Sequence, residues 1–266
     1  MQQYLLLGGL LEQPKLMYQK AIEAAKSRLF FRPMEPEYND ILLAGIGSIN
    51  TLGKFMIFPK AEHLSCFVGG MIAMSARIFS KEDDLVIAGQ LVDGCIWAYQ
   101  SMPTGIMPEI FYTVPCNSPR YCQWDLAAYY RGIMSRNIQV EESNVEEMID
   151  ILRLPPGITD IPNRSYVLRP EAIESVFILY RITGDESLRD SAWAMFQSIE
   201  KHTTTEYGNT ALDDVTVLPA KKGDSMQSFW TAETLKYFYL IFSPPDLVSL
   251  DEYVFNTEAH PLRRPR

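Results

Sequence analysis

The sequence predicts a mostly helical chain, an array of helix pairs of toroidal type with short β-hairpins between them. Apolar residues recur at helical spacing along several long stretches. Short extended pieces fall between those stretches, and no strand–helix–strand rhythm of a parallel sheet runs through the chain.

The first stretch, "LEQPKLMYQKAIEAAKSRLF" (11–30), sets Leu16, Ile22 and Leu29 among Lys and Glu and is entered through Pro14. "DILLAGIGS" (40–48) and "KFMIFP" (54–59) are extended pieces. "HLSCFVGGMIAMSARIF" (63–79) and "EDDLVIAGQLVDGCIWAYQSM" (82–102) form the next helix pair. "EIFYTV" (109–114) and "YVLR" (166–169) are again extended. "PEAIESVFILYRIT" (170–183) has Pro170 in its first turn and stops before Gly184-Asp185, and "ESLRDSAWAMFQSIEKHT" (186–203) follows at once. "DSMQSFWTAETLKYFYLIF" (224–242) ends at Pro244-Pro245. With no exact repeat and no linker, one domain is expected.

The chain has 266 residues, of which 47% are apolar, so it can bury a substantial core. Its net charge of −9 and lack of a basic block disfavour nucleic acid and anionic membrane as partners. A neutral polar ligand or a cation suits it better. No apolar run approaches the roughly 18–20 residues of a membrane span. The N-terminal "MQQYLLLGGLLEQP" lacks a basic leader and a small-residue cleavage site, so no targeting signal is expected. Cys66, Cys95, Cys116 and Cys122 form no CxxC pair, and a zinc site is not expected. One sequon, Asn163-Arg164-Ser165, is present, a triplet that often occurs by chance.

The chemistry concentrates in carboxylates. Glu171 and Glu174 share one side of a first helical turn, where free N–H groups and the helix dipole favour negative charge. A capped, solvated helix start is the plainer reading. Against it, Glu174 leads into "SVFILY", which must be buried nearly all round. Glu233 stands at helical spacing among Phe229, Trp230 and Tyr237, and a buried carboxylate is costly unless paired or near a cation. Rings beside acids suit sugars; pairing of Glu233 with Lys236 on the surface is the alternative. Glu109 follows the turn "PTGIMP". His63 and His260 read more simply as cap or turn residues.

Taken together, "HLSCFVGGMIA", "TGIMPEI", "YVLRPEAIESVFILYRITGD", "SFWTAETLKYFYLIFS" and "LDEYVFNTEAHPL" resemble glycoside hydrolase family 47, the class I α-1,2-mannosidases that trim N-glycans. The segments occur in the family's order. The resemblance implies part of an (α/α)7 barrel, an incomplete ring. It also implies Ca²⁺-dependent hydrolysis with inversion, removing terminal mannose from high-mannose N-glycans. Thr257 is the implied metal ligand, through its hydroxyl and carbonyl, and Glu174, Glu233 and Glu258 would accept hydrogen bonds from waters on the ion. Glu171 is the implied general base and Glu109 a second catalytic acid. Arg169, Phe229, Glu233 and His63 make up the substrate-binding set, with Phe229 stacking on mannose. Cys66 and Cys95 match the family's disulfide. Cys116 and Cys122 have no counterpart in it, and whether they pair stays open.

Residues 1–266 are expected to be the C-terminal portion of a single family catalytic domain. The resemblance places an arginine, an aspartate and a further glutamate upstream of this segment, so the chain alone is expected to lack activity. Any signal or membrane anchor would lie there too. Gln227 stands where the family pattern leads one to expect a glutamate. The implied location is the endoplasmic reticulum or Golgi lumen, or outside the cell. A lectin-like homologue that recognises N-glycans for glycoprotein degradation is the alternative function.

Overall fold

The computed structural model describes residues 2–118, 121–136 and 142–265. Helices α1 (Gln2–Leu6) and α2 (Glu12–Arg28) come first. Strands β1 (Phe30–Phe31) and β2 (Leu43–Ala44) pair, and β3 (Ile46–Ile49) and β4 (Phe55–Phe58) make an antiparallel hairpin. Strand β5 (Lys60–Glu62) runs into a 3-10 turn, His63–Cys66, and then into α3 (Phe67–Phe79) and α4 (Glu82–Gln100). Next come β6 (Ile110–Thr113), α5 (Leu126–Arg136), α6 (Val145–Leu152) and β7 (Ile158–Asn163). Helices α7 (Glu171–Thr183) and α8 (Ser187–Thr203) follow. A π turn, Trp230–Thr234, opens α9 (Leu235–Ile241), and β8 (Tyr253–Phe255) and β9 (Pro261–Arg263) close the described chain as a hairpin.

The core forms where α3, α4 and α7 meet. Ile72 and Ala73 of α3, Ala88 and Ala98 of α4, and Val176 and Phe177 of α7 are fully shielded from solvent. Burying one Ile, Val or Phe side chain in this way contributes roughly 1.5–3 kcal/mol. Close approach depends on "GG" in α3. A Cβ on Gly70 would lie 3.0 Å from the Cα of Ser175, and one on Gly69 would lie 2.8 Å from Val92. The Ser175 hydroxyl fills the gap so made, accepting from the Gly70 N–H at 2.7 Å and donating to the Cys66 carbonyl at 2.5 Å. The Cys66–Cys95 disulfide joins the start of α3 to α4, and a second bond joins Cys116 to Cys122.

The expected helix pairs 63–79/82–102 and 170–183/186–203 are present nearly to the residue. Along α2, Ile22 is buried but Leu16 is half exposed, so the expected apolar stripe is only partly covered. Two expectations need correction. The helix expected from residue 224 begins only at Trp230, because residues 223–225 spend their backbone groups on the 210–211 segment. Ala211 N–H donates to the Ser225 carbonyl and Gly223 N–H to the Ala211 carbonyl. The extended piece 166–169 reduces to one bridge, Tyr166 to Leu212, since Leu168 turns left-handed at φ +66°. Among the described residues no helix is long and apolar enough to cross a membrane, and the helices do not close into a ring.

Candidate active site

Strands β5, β6 and β7 form one antiparallel sheet in the order β5-β6-β7. One end of that sheet gathers residues distant in sequence. His63 follows β5 and its N–H donates to the Glu109 carbonyl at 3.0 Å; Glu109 precedes β6 and its N–H donates to the Ser165 carbonyl at 3.0 Å. Four residues beyond Ser165, Arg169 emerges from the left-handed Leu168. A bulky residue in that conformation is strained unless its surroundings hold it. Leu168 is fully buried, and the Thr234 hydroxyl donates to its carbonyl at 2.7 Å.

The side chains at this end form a continuous polar relay. Arg169 Nε donates to Glu109 Oε2 at 2.5 Å, and its Nη1 lies 3.5 Å from Glu171 Oε1. The other Glu171 oxygen meets His63 Nδ1 at 3.3 Å, and His63 Nε2 meets the Tyr99 hydroxyl at 2.8 Å. His63 is completely buried. Burial alone would push the Glu171 carboxyl up. The hydrogen bond and charge of His63, the helix N-terminal backbone and Arg169 outweigh it and hold Glu171 below the usual carboxylate range. Burial pushes the Tyr99 hydroxyl well above its ordinary range, so it stays protonated.

Glu171 also faces a cleft of about 350 Å³ lined by Glu174, Glu233, Phe67, Phe255 and Thr257 among others. Thr257 reaches it because β8 and β9 dock as a hairpin: Phe255 packs edge-on against Phe177 of α7 and Tyr237 of α9. Within the turn, Asn256 Oδ1 accepts from the N–H groups of Glu258 and His260, at 3.1 and 2.8 Å. Lys236 donates to the Ala259 carbonyl at 2.8 Å, tying the turn to α9. That contact takes Lys236 to the backbone, and no ion pair with Glu233 forms. The π turn carries Glu233 to the cleft while Trp230 and Tyr237 turn into the core.

The acids of this cleft repel one another. Burial, then the charges of Glu171 and Glu233, push Glu174 up to about 8, against a smaller opposite effect of the Tyr237 hydroxyl 3.4 Å away. Burial raises Glu233 as well, followed by Glu171 and Glu258, with Lys236 acting the other way. Such a cleft suits a cation. Among the described residues no three His, Cys, Asp or Glu side chains are grouped to hold a metal directly. The donors that line the cleft, the Thr257 oxygens and the carboxylates of Glu171, Glu174 and Glu233, are hard oxygens of the kind calcium accepts.

The structure thus brings together Glu171, Glu174, Glu233 and Thr257, with Glu258 exposed beside Thr257. Glu109 is buried behind Arg169, with its Oε1 left unpaired, and does not line the cleft. Neither His63 nor the half-buried Phe229 lines it. A larger depression of about 1100 Å³ beside β6 and α5 contains none of the predicted catalytic, sugar or metal residues. Sequence reasoning missed Tyr99, which sits in an apolar helical run; a hydroxyl buried there needs a partner, and that was the available signal.

A family model described as glycosyl hydrolase family 47 matches residues 1–264. The chain is 36% identical over 235 residues to a mannosyl-oligosaccharide 1,2-alpha-mannosidase of Arabidopsis thaliana, covering 83% of this chain and 34% of that protein. It is 32% identical over 248 residues to the human endoplasmic reticulum mannosyl-oligosaccharide 1,2-alpha-mannosidase, covering 92% of this chain and 30% of the relative. It therefore spans about a third of the length of the curated relatives it matches. Among solved structures, the alpha-1,2-mannosidase from Trichoderma reesei superposes with a TM-score of 0.78 at 25% identity, over 98% of this chain and 49% of that one. That match agrees with the expected fold class, part of an (α/α)7 architecture.

Proposed function

The chain belongs to glycosyl hydrolase family 47, and on that premise we propose that it forms part of the catalytic domain of an inverting α-1,2-mannosidase acting on high-mannose N-glycans. The observation that carries the reading is the convergence of Glu171 and Glu174, Glu233 and Thr257, from three separate segments, on one cleft. Glu171 is the general base. It is held below the usual carboxylate range, so it is ionised at neutral pH, and it is fixed on both oxygens while still facing the cleft. His63 acts through Glu171, by orienting its carboxylate. Arg169 spans Glu109 and Glu171, and Glu109, buried behind Arg169 and outside the cleft, holds the guanidinium in place. Inversion requires base and acid roughly 6.5–9.5 Å apart, with water between base and sugar.

Calcium is the cofactor of this reading: Thr257 would hold it, and when bound it would supply positive charge to the cleft. Glu174, Glu233 and Glu258 would accept hydrogen bonds from waters on the ion. Phe229 offers its ring at the start of the π turn. Mannosyl-oligosaccharides, for which the relatives are named, come to this chain as its proposed substrate class. Two disulfides support a location in the secretory lumen.

Titration calorimetry with calcium alone tests the metal assignment independently of turnover. The native protein should bind calcium, and Thr257→Ala should lose most of the heat. Equal binding by the variant would move the ion elsewhere.

A further inference from the structure

Asn163-Arg164-Ser165 is the only N-x-Ser/Thr sequon in the chain, and nothing in the proposed activity uses it. We propose that Asn163 is itself an acceptor of an N-linked glycan, carried by the folded protein. The inference rests on the secretory location and is independent of the glycosidase reading.

A sequon is usable when its asparagine side chain reaches solvent. Asn163 closes β7, the outer strand of its sheet, and is exposed. Its two amide atoms are divided between two tasks. Oδ1 accepts from the Ser165 N–H at 3.2 Å and from the Ser165 hydroxyl at 2.7 Å. Nδ2, the atom that would carry the sugar, donates to nothing among the described residues. A glycan on Nδ2 therefore breaks no hydrogen bond, and the turn that presents it persists after modification. The middle residue is also out of the way. Arg164 directs its guanidinium to the Leu152 carbonyl at 2.9 Å and towards Asp214 at 3.9 Å.

In the transfer, Asn163 Nδ2 forms a bond to the anomeric carbon of a lipid-pyrophosphate-linked oligosaccharide. The carbon–oxygen bond to pyrophosphate breaks, the lipid pyrophosphate departs with that electron pair, and Nδ2 gives up one proton. The redox state of every atom is unchanged.

The test expresses the protein that carries this chain in eukaryotic cells and reads glycan occupancy at Asn163. Native protein and Ser165→Thr should both run one glycan heavier until treated with peptide N-glycosidase, which should convert Asn163 to Asp in heavy-oxygen water. Asn163→Gln and Ser165→Ala should lose the shift. Peptide mapping of the Cys66–Cys95 bond in the same samples shows that the chain folded. Bare Asn163 in native protein containing that bond overturns the proposal, and so does a shift that survives Asn163→Gln.

Discussion

Replacing Glu174 by Gln should stabilise the protein in chelator at neutral pH, although it alters a half-buried polar group. In the folded chain Glu174 keeps its proton up to about 8, far above the ordinary carboxylate range in which it ionises once unfolded. Between that range and pH 8 the folded state binds more protons than the unfolded state, so stability falls as pH rises through the window. Each pH unit crossed costs about 1.4 kcal/mol, so by pH 7 the penalty is on the order of 3 kcal/mol. Gln carries no charge and can still accept from Tyr237. For a domain of this size the gain corresponds to a melting temperature roughly 5–10 °C higher. Urea unfolding of both proteins in chelator, from pH 5 to pH 8, measures it, and the difference between them cancels the titrating groups that do not interact with Glu174. The gap should widen with pH, and calcium should narrow it by stabilising the native protein. A gap that is constant or shrinks with pH would refute the picture of three acids repelling across one cleft.

Two further outcomes follow from the same structure. Changing Cys66 and Cys95 together to Ala opens a loop with a sequence separation of 29 and should cost about 3–4 kcal/mol, read as a lower urea midpoint; an unchanged midpoint would show that the bond contributes nothing. Tyr99→Phe strips the buried His63 Nε2 of its partner and should cost about 1–3 kcal/mol. Imidazole nitrogen spectra of the three histidines should then show His63 displaced while His202 and His260 keep their resonance positions.

The helices of the core were legible because their apolar spacing matches what they bury. Ile72, Val92 and Val176 sit where the 3.6-residue period places them, and "GG" at 69–70 marks the closest helix contact. The oddity of Glu174 and Glu233 among apolar neighbours pointed to the cleft, and Thr257 was reachable only through the family resemblance. Other features could not be read locally. α5 and α6 are short, and Gly132 interrupts the first; tertiary packing on β7 and its neighbours decides them. The π turn at 230–234 leaves no periodic mark, because one extra residue shifts the faces of everything after it. The link from Glu109 through Arg169 to Glu171 depends on a sheet end assembled from three separate strands, and residue spacing contains no trace of it.

The most direct test of the central claim follows mannose release from a high-mannose N-glycan by the protein that carries this chain, with proton NMR reporting the anomer first formed. The account predicts β-mannose, release abolished by chelator, and Glu171→Gln slower by orders of magnitude while still binding calcium. Undiminished release by Glu171→Gln, or α-mannose as the first product, would contradict it.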